Sequence, residues 1–162
     1  MKTIATAFFL VTSLSVFCQN TVGLPEIINY SKQSYNAGAQ NWDIKQGQNG
    51  LIYFANNEGL LTFDGTFWKL YPFPNKLIVR SLAMGPENRI YAGGQNEFGY
   101  FAPDKNGTLQ FTSLKKLLSV SDLAFEYILD IVVSGENLFV RERDRIFHVD
   151  QERIQVYNNK NG

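Results

Sequence analysis

Three short clusters of amide, carboxylate and guanidinium side chains hold most of the chemistry this chain can offer. They are Asn56-Asn57-Glu58, Gln95-Asn96-Glu97 and Arg141-Glu142-Arg143-Asp144. Trp42 and Arg80 add an aromatic face and a cation. Groups of these types exchange hydrogen bonds with hydroxyls, and beside an aromatic platform they suit a polar, hydroxyl-rich ligand such as a sugar. Asn, Asp and Gly also populate turns for their backbone angles, so a solvated-turn reading stands beside the ligand reading. Trp42 reads either as packing between sheets or as a stacking platform. Trp68, at the start of an outer strand, reads as structural.

Reactive chemistry finds little support. His148 is the only histidine, set on a strand between Phe147 and Val149. No second histidine or cysteine stands at metal-ligand spacing, and no Gly-rich loop leads into a helix to hold phosphate. Asp43, Asp64, Asp130 and Asp150 fall at strand ends and turns, where carboxylates cap backbone amides. The expectation is no catalytic residue, no metal and no cofactor within this chain.

The elements that position these clusters are short strands. Asn41 to Trp68 reads as strand, turn at Gly47-Gln48-Asn49-Gly50, strand, turn at Asn56-Asn57-Glu58-Gly59, strand, then Asp64-Gly65 before a fourth strand to Tyr71. β-branched and aromatic runs punctuated by Asn/Gly turns predict a meander. The meander recurs: Gly47-x-x-x-x-Ile52-Tyr53 returns as Gly85-x-x-x-x-Ile90-Tyr91, 38 residues on. Ile44 and Leu82, Leu60 and Phe98, and Phe63 and Phe101 keep that spacing. A fainter copy places Leu138-Phe139 on Ile90-Tyr91, and Ile146 and Val149 on Phe98 and Phe101. A self-similar unit of about forty residues with four strands is the sign of a β-propeller blade. The predicted fold class is all-β, a partial β-propeller of about three four-stranded antiparallel blades in an incomplete ring. An unrelated meander or sandwich is the alternative.

The division that follows is 1–18 as an export signal, 19–40 as a lead-in, and 41–162 as blades at about 41–76, 77–126 and 127–157. Lys2 and the apolar run Ile4–Phe17 make the signal, with cleavage before Gln19; acylation of Cys18 is the alternative, though Phe17 fits it poorly. Cleavage at that point leaves no cysteine. In the lead-in, Ile27-Ile28 reads as an edge strand that closes a ring or clasps blade one, and Ser34–Gln40 as loop. Pro72-Phe73-Pro74-Asn75 crosses to blade two. Asn106-Gly107-Thr108 matches a glycosylation sequon and reads as a plain hairpin turn. Leu114, Leu117 and Leu118 predict a short helical turn over the next junction.

With 162 residues, 44% hydrophobic, and 15 basic against 15 acidic side chains, the composition suits a soluble globular class and lacks the basic excess of a nucleic-acid surface. The 13 Phe and 8 Tyr suit the wedge-shaped spaces between sheets. A closed ring takes roughly four to eight blades, so three leave two open sheet faces. The expectation is either further blades of a longer chain or closure by oligomerisation, with a homodimer among the candidate partners.

Strand direction sorts the loops. Turns alternate between the two rims of an antiparallel blade, so one rim collects the three polar clusters together with Trp42, Lys76 and Arg80. The other carries Gln48-Asn49, Pro86-Glu87 and Asp104-Lys105. The candidate binding residues are therefore Asn56, Asn57, Glu58, Gln95, Asn96, Glu97, Arg80, Trp42 and Arg141.

Asn41-Trp42-Asp43-Ile44, with the run from Gly50 to Leu61 and Phe63-Asp64-Gly65-Thr66-x-Trp68, resembles the first blade of the bacterial two-component-regulator propeller proteins, especially members with a triple-tyrosine (three-Y) domain. The match extends from Pro25 to about Tyr157 and weakens in blade three. The resemblance implies an exported or periplasmic sensor, anchored in the inner membrane in fuller members. There the propeller repeats precede a three-Y sandwich, a membrane helix, and a kinase or DNA-binding module. Relatives with kinase modules sense polysaccharide fragments. Nothing after the third blade of that plan is present in this sequence. The main functional expectation is a ligand-sensing propeller segment, with an oligosaccharide as candidate ligand. Alternatives are a fragment of an exported propeller enzyme acting on polysaccharide, and a protein–protein scaffold.

Overall fold

The computed structural model describes residues 23, 26–151 and 153–159. Residues 1–18, read above as an export signal, and Gly162 lie outside the described residues. Twelve strands follow in order: β1 Asn41–Gln46, β2 Ile52–Asn56, β3 Gly59–Phe63, β4 Trp68–Tyr71, β5 Val79–Met84, β6 Ile90–Gly94, β7 Glu97–Pro103, β8 Leu109–Ser113, β9 Asp130–Ser134, β10 Asn137–Arg141, β11 Arg145–Asp150 and β12 Arg153–Asn158. They pair into three four-stranded antiparallel sheets, each a meander in chain order. The first strands of successive sheets meet, β1 with β5 and β5 with β9, and β2 and β6 also touch the next sheet's first strand. The sheets stand side by side as three blades of a partial propeller.

The repeat has a structural meaning residue by residue. Tyr53 pairs with Lys45 and Thr62, Tyr91 with Ala83 and Tyr100, and Phe139 with Val132 and His148. The three aromatics hold one place on each second strand; Tyr53 and Tyr91 face the following blade, and Phe139 lies on the outer face of blade three. Tyr53, Ala55 and Leu60 pack there with Val79, Leu82, Ile90, Ala92 and Phe101 of blade two. Tyr91 and Phe98 pack with Ile131, Leu138, Val140 and Phe147 of blade three. Phe98 and Phe147 stack with centroids 5.5 Å apart. Gly47 recurs as Gly85 because the tyrosine ring lies over it. A Cβ on Gly47 would sit 2.9 Å from Cε2 of Tyr53, and one on Gly85 would collide with Tyr91.

The crossovers fill the wedges. Phe73, between the two crossover prolines, is buried against Phe101 and Phe111. The expected helical turn forms as a single 3₁₀ turn, Lys115–Leu117, which buries Leu114 and Leu118 between blades two and three. Asp64 closes the β3–β4 turn, its Oδ1 accepting from the amides of Phe67 (2.7 Å) and Thr66 (2.8 Å). Those bonds, that of Phe67 foremost, hold its carboxyl below the usual range.

Two expectations about the lead-in change. Ile27-Ile28 forms no strand, and Ile27 is 80% exposed. The stretch read as loop begins inside a one-turn helix, α1 Lys32–Tyr35, ended by Asn36 in the left-handed conformation. The lead-in instead clasps blade one with aromatic rings. Tyr30 meets Phe63 and Trp68 edge-on, both at 5.2 Å, and Tyr35 meets Trp68 at 5.6 Å. Trp68 stacks on Phe63 at 4.3 Å. The described residues thus cover the terminal sheet face of blade one and leave that of blade three open.

Candidate functional site

The first strands of blades one and two share an irregularity. Pairing of β1 with β2 slips between Asn41 and Asp43, and pairing of β5 with β6 slips between Val79 and Ser81. The unpaired residues are Trp42 and Arg80, the same 38 residues apart as the rest of the repeat. A β-bulge re-aims the side chain it carries, and here it turns both toward each other. The Arg80 guanidinium lies 4.3 Å from the Trp42 ring and 4.0 Å from the ring of Tyr127, which opens blade three. One cation from blade two is thus held between aromatic faces supplied by blades one and three. Trp42 is itself oriented, its indole Nε1 donating to Asn57 Oδ1 at 2.7 Å.

Backbone pairing across the junctions brings Gln95 and Tyr127 together. Gln95 N donates to Ile78 O (3.1 Å), Ile128 N to Gly94 O (2.9 Å) and Asn96 N to Glu126 O (2.7 Å), and Gln95 bridges to Tyr127. Gly94 permits this approach, since a Cβ there would strike the Ile78 carbonyl. Asn96 takes the left-handed conformation (φ 52°) that closes the β6–β7 hairpin. Its Oδ1 accepts from Lys115 Nζ at 2.7 Å.

The result is an open cleft of about 1110 Å³ at the junction of blades two and three. Arg80, Gln95, Asn96 and Tyr127 form one side; Glu142, Arg143 and Asp144 reach it from the β10–β11 turn. The opposite rim offers about 210 Å³, around Gln46, Gln48 and Met84–Asn88. Within the larger cleft, Glu142 is bound by Arg145 Nε at 3.0 Å, and Arg145 also donates to Ala124 O at 2.6 Å. Arg143 and Glu126 approach to 4.0 Å with both side chains exposed, a pair worth little. Arg80 makes no ion pair among the described residues, and its Nε is buried without a hydrogen-bond partner.

The other candidates lie elsewhere. Asn56 is fully buried: its Oδ1 accepts from the amides of Gly38 (2.9 Å) and Glu58 (3.0 Å), and its Nδ2 donates to Gly38 O, Gln40 O and Asn41 Oδ1. Those bonds tie the lead-in to blade one and leave no atom for a ligand. Glu97 Oε1 accepts from Ser113 Oγ (2.8 Å) and from the amide of Phe98 (2.9 Å). Glu58 and Arg141 are exposed and do not line the cleft. Sequence reasoning missed Tyr127, whose approach depends on an insertion that breaks the repeat spacing. The matched position of Trp42 and Arg80 was the available signal for the stack. His148 bonds Asn137 Oδ1 through Nε2 at 2.7 Å and stacks on Phe139, well away from this cleft. Among the described residues no group of His, Cys, Asp and Glu is placed to hold a metal ion.

The fold and cleft define a propeller segment with a polar, aromatic-backed rim. Two solved structures with this fold are extracellular domains of B. thetaiotaomicron proteins. The extracellular domain of a candidate one-component system, BT4673, superposes with a TM-score of 0.58 at 16% identity, over 78% of this chain and 17% of that one. That of a candidate hybrid two-component system, BT3049, gives 0.57 at 17% identity, over 85% of this chain and 19% of that one. The likeness is one of fold, and this chain spans less than a fifth of either relative. No family model and no curated protein matches the sequence.

Proposed function

We propose that the chain is the ligand-sensing propeller segment of an exported or periplasmic signal-transduction regulator, with a hydroxyl-rich ligand, an oligosaccharide, bound at the Arg80–Tyr127 cleft. The supporting observation is that Trp42, Arg80 and Tyr127, each from a different blade, stack beside it. A ligand gripping this point touches the relative placement of three sheets. It biases their packing only to the extent that it binds two arrangements unequally.

Further blades are the partner this reading requires, and blade three has a surface shaped for one. Asp43 of blade one accepts the amide of Leu82 in blade two through Oδ2 at 2.9 Å, joining two first strands. Asp130 holds the matching place in blade three, pairing with Arg141 as Ser81 pairs with Gly93. Glycan-array binding by the chain tests the rim assignment. Changing Asn96 and Gln95 together to alanine is expected to abolish the signal, while Glu87→Ala on the other rim leaves it unchanged. Equal sensitivity of the two rims would reject the assignment.

A further inference from the structure

The state of Arg80 says more about the ligand than the shape of the cleft does. A guanidinium is planar, with its N–H donors directed outward in the plane. Trp42 covers one region of that group at 4.3 Å and Tyr127 another at 4.0 Å. Contact with two rings leaves the terminal N–H groups as the route for hydrogen bonding. Among the described residues no carboxylate pairs with the group, and its buried Nε has no hydrogen-bond partner, so an anion would be met by the terminal nitrogens. Other arginines are matched, Arg145 beside the same cleft with Glu142 and Asp122, and Arg89 on the opposite rim with Glu87 at 2.8 Å. A stacked, pre-oriented guanidinium without a counter-ion is arranged to receive a planar anion edge-on, by two parallel N–H···O bonds.

The surroundings narrow the class. Net charge does not select an anion here, because Arg143 and Arg145 are offset by Glu126, Glu142 and Asp122. Asp144 also lines the cleft and, among the described residues, makes no ion pair. A simple anion would gain Arg80 and be repelled by Asp144. A molecule that carries both an anionic group and hydroxyls gains from both, its hydroxyls donating to Asp144 and to the amide of Gln95. We infer that the ligand is an anionic oligosaccharide, a uronic-acid sugar whose carboxylate is bound by Arg80. This rests on the sugar-binding reading of the cleft and adds the charge.

The test is calorimetric titration of the chain with tetragalacturonate, its fully methyl-esterified form and a sulfated galactan tetrasaccharide, each at low and high salt. Binding of tetragalacturonate is expected to weaken roughly tenfold or more on esterification, and equally in Arg80→Lys, which retains the charge but loses the fork. It is also expected to weaken with added salt. Gln95→Ala gives a second variant that leaves the stack intact, with circular dichroism confirming the fold of both; a several-fold loss is expected. Equal affinity for the free and esterified sugars, or an unchanged Arg80→Lys with a native spectrum, would overturn the inference while leaving a neutral-sugar site standing. Preference for the sulfated sugar would overturn the carboxylate assignment. Binding of none of the three, together with a blank glycan array, would remove the sugar reading itself.

Discussion

The outward faces of blades one and three occupy the same kind of position and are finished differently. On blade one, Phe54, Phe63 and Trp68 lie under Tyr30 and Tyr35 of the lead-in, and Leu61 and Phe63 are buried. On blade three, Val132 is 51% exposed, Ile146 41% and Tyr157 48%, with Phe139 half-buried and stacked on His148. Tyr53 and Tyr91, the counterparts of Phe139, are buried under the next blade. The difference shows that the same repeat carries two incompatible instructions. One face is closed by a local segment, so head-to-tail stacking of copies would have to displace an aromatic clasp and the Asn56 bonds behind it. The other keeps the residues that elsewhere bind a following sheet.

The largest expected effect separates these two faces directly. Trp68→Ala removes a ring that touches four other aromatics and is expected to cost about 3 kcal/mol in urea unfolding of the chain. Ile146→Ala on the open face is expected to change stability by no more than about 0.5 kcal/mol. A comparable loss in both would mean that blade three is covered in solution. In that case Ile146→Asp should also lower the apparent mass in sedimentation as concentration rises.

A smaller contrast concerns the paired aspartates. Asp43→Ala breaks the bonds to Leu82 N and Ile44 N and the ion pair with Lys45, and is expected to cost about 1–2 kcal/mol. Asp130→Ala is expected to fall within about 0.5 kcal/mol in the same assay. If Asp130 proves as costly as Asp43, its carboxylate already has a partner and the face is not vacant.

The smallest effect is a pH dependence confined to blade one. The folded-state pKa of Asp64 is depressed by the amides of Phe67 and Thr66. Its stabilising contribution is therefore complete above the unfolded value and is lost as pH falls through the folded one. The difference in melting temperature between the native chain and Asp64→Ala should be present at pH 6 and shrink below about pH 4. A difference that persists at low pH would assign the effect to turn geometry rather than charge.

Strands and turns were readable because they rest on short-range rules. Alternating apolar residues, Gly at the bends and the recurring Gly–Tyr contact are all set within about forty residues of chain. The site was readable in part. Trp42, Arg80, Gln95 and Asn96 come together as their rim position implied. Asn56 looked the same in sequence as Asn57, yet one is sealed under the lead-in and the other orients an indole. Nothing local distinguishes them, because the distinction is made by Gly38, eighteen residues away.

By itself the sequence determined a repeated four-stranded sheet, since hydrophobic period and turn chemistry act between near neighbours. Tertiary structure alone decided which sheet face is closed, which rim amides are consumed internally, and that Tyr127 completes the stack on Arg80. Those outcomes depend on segments far apart in the chain competing for the same buried surface, and that competition is resolved only when the blades pack.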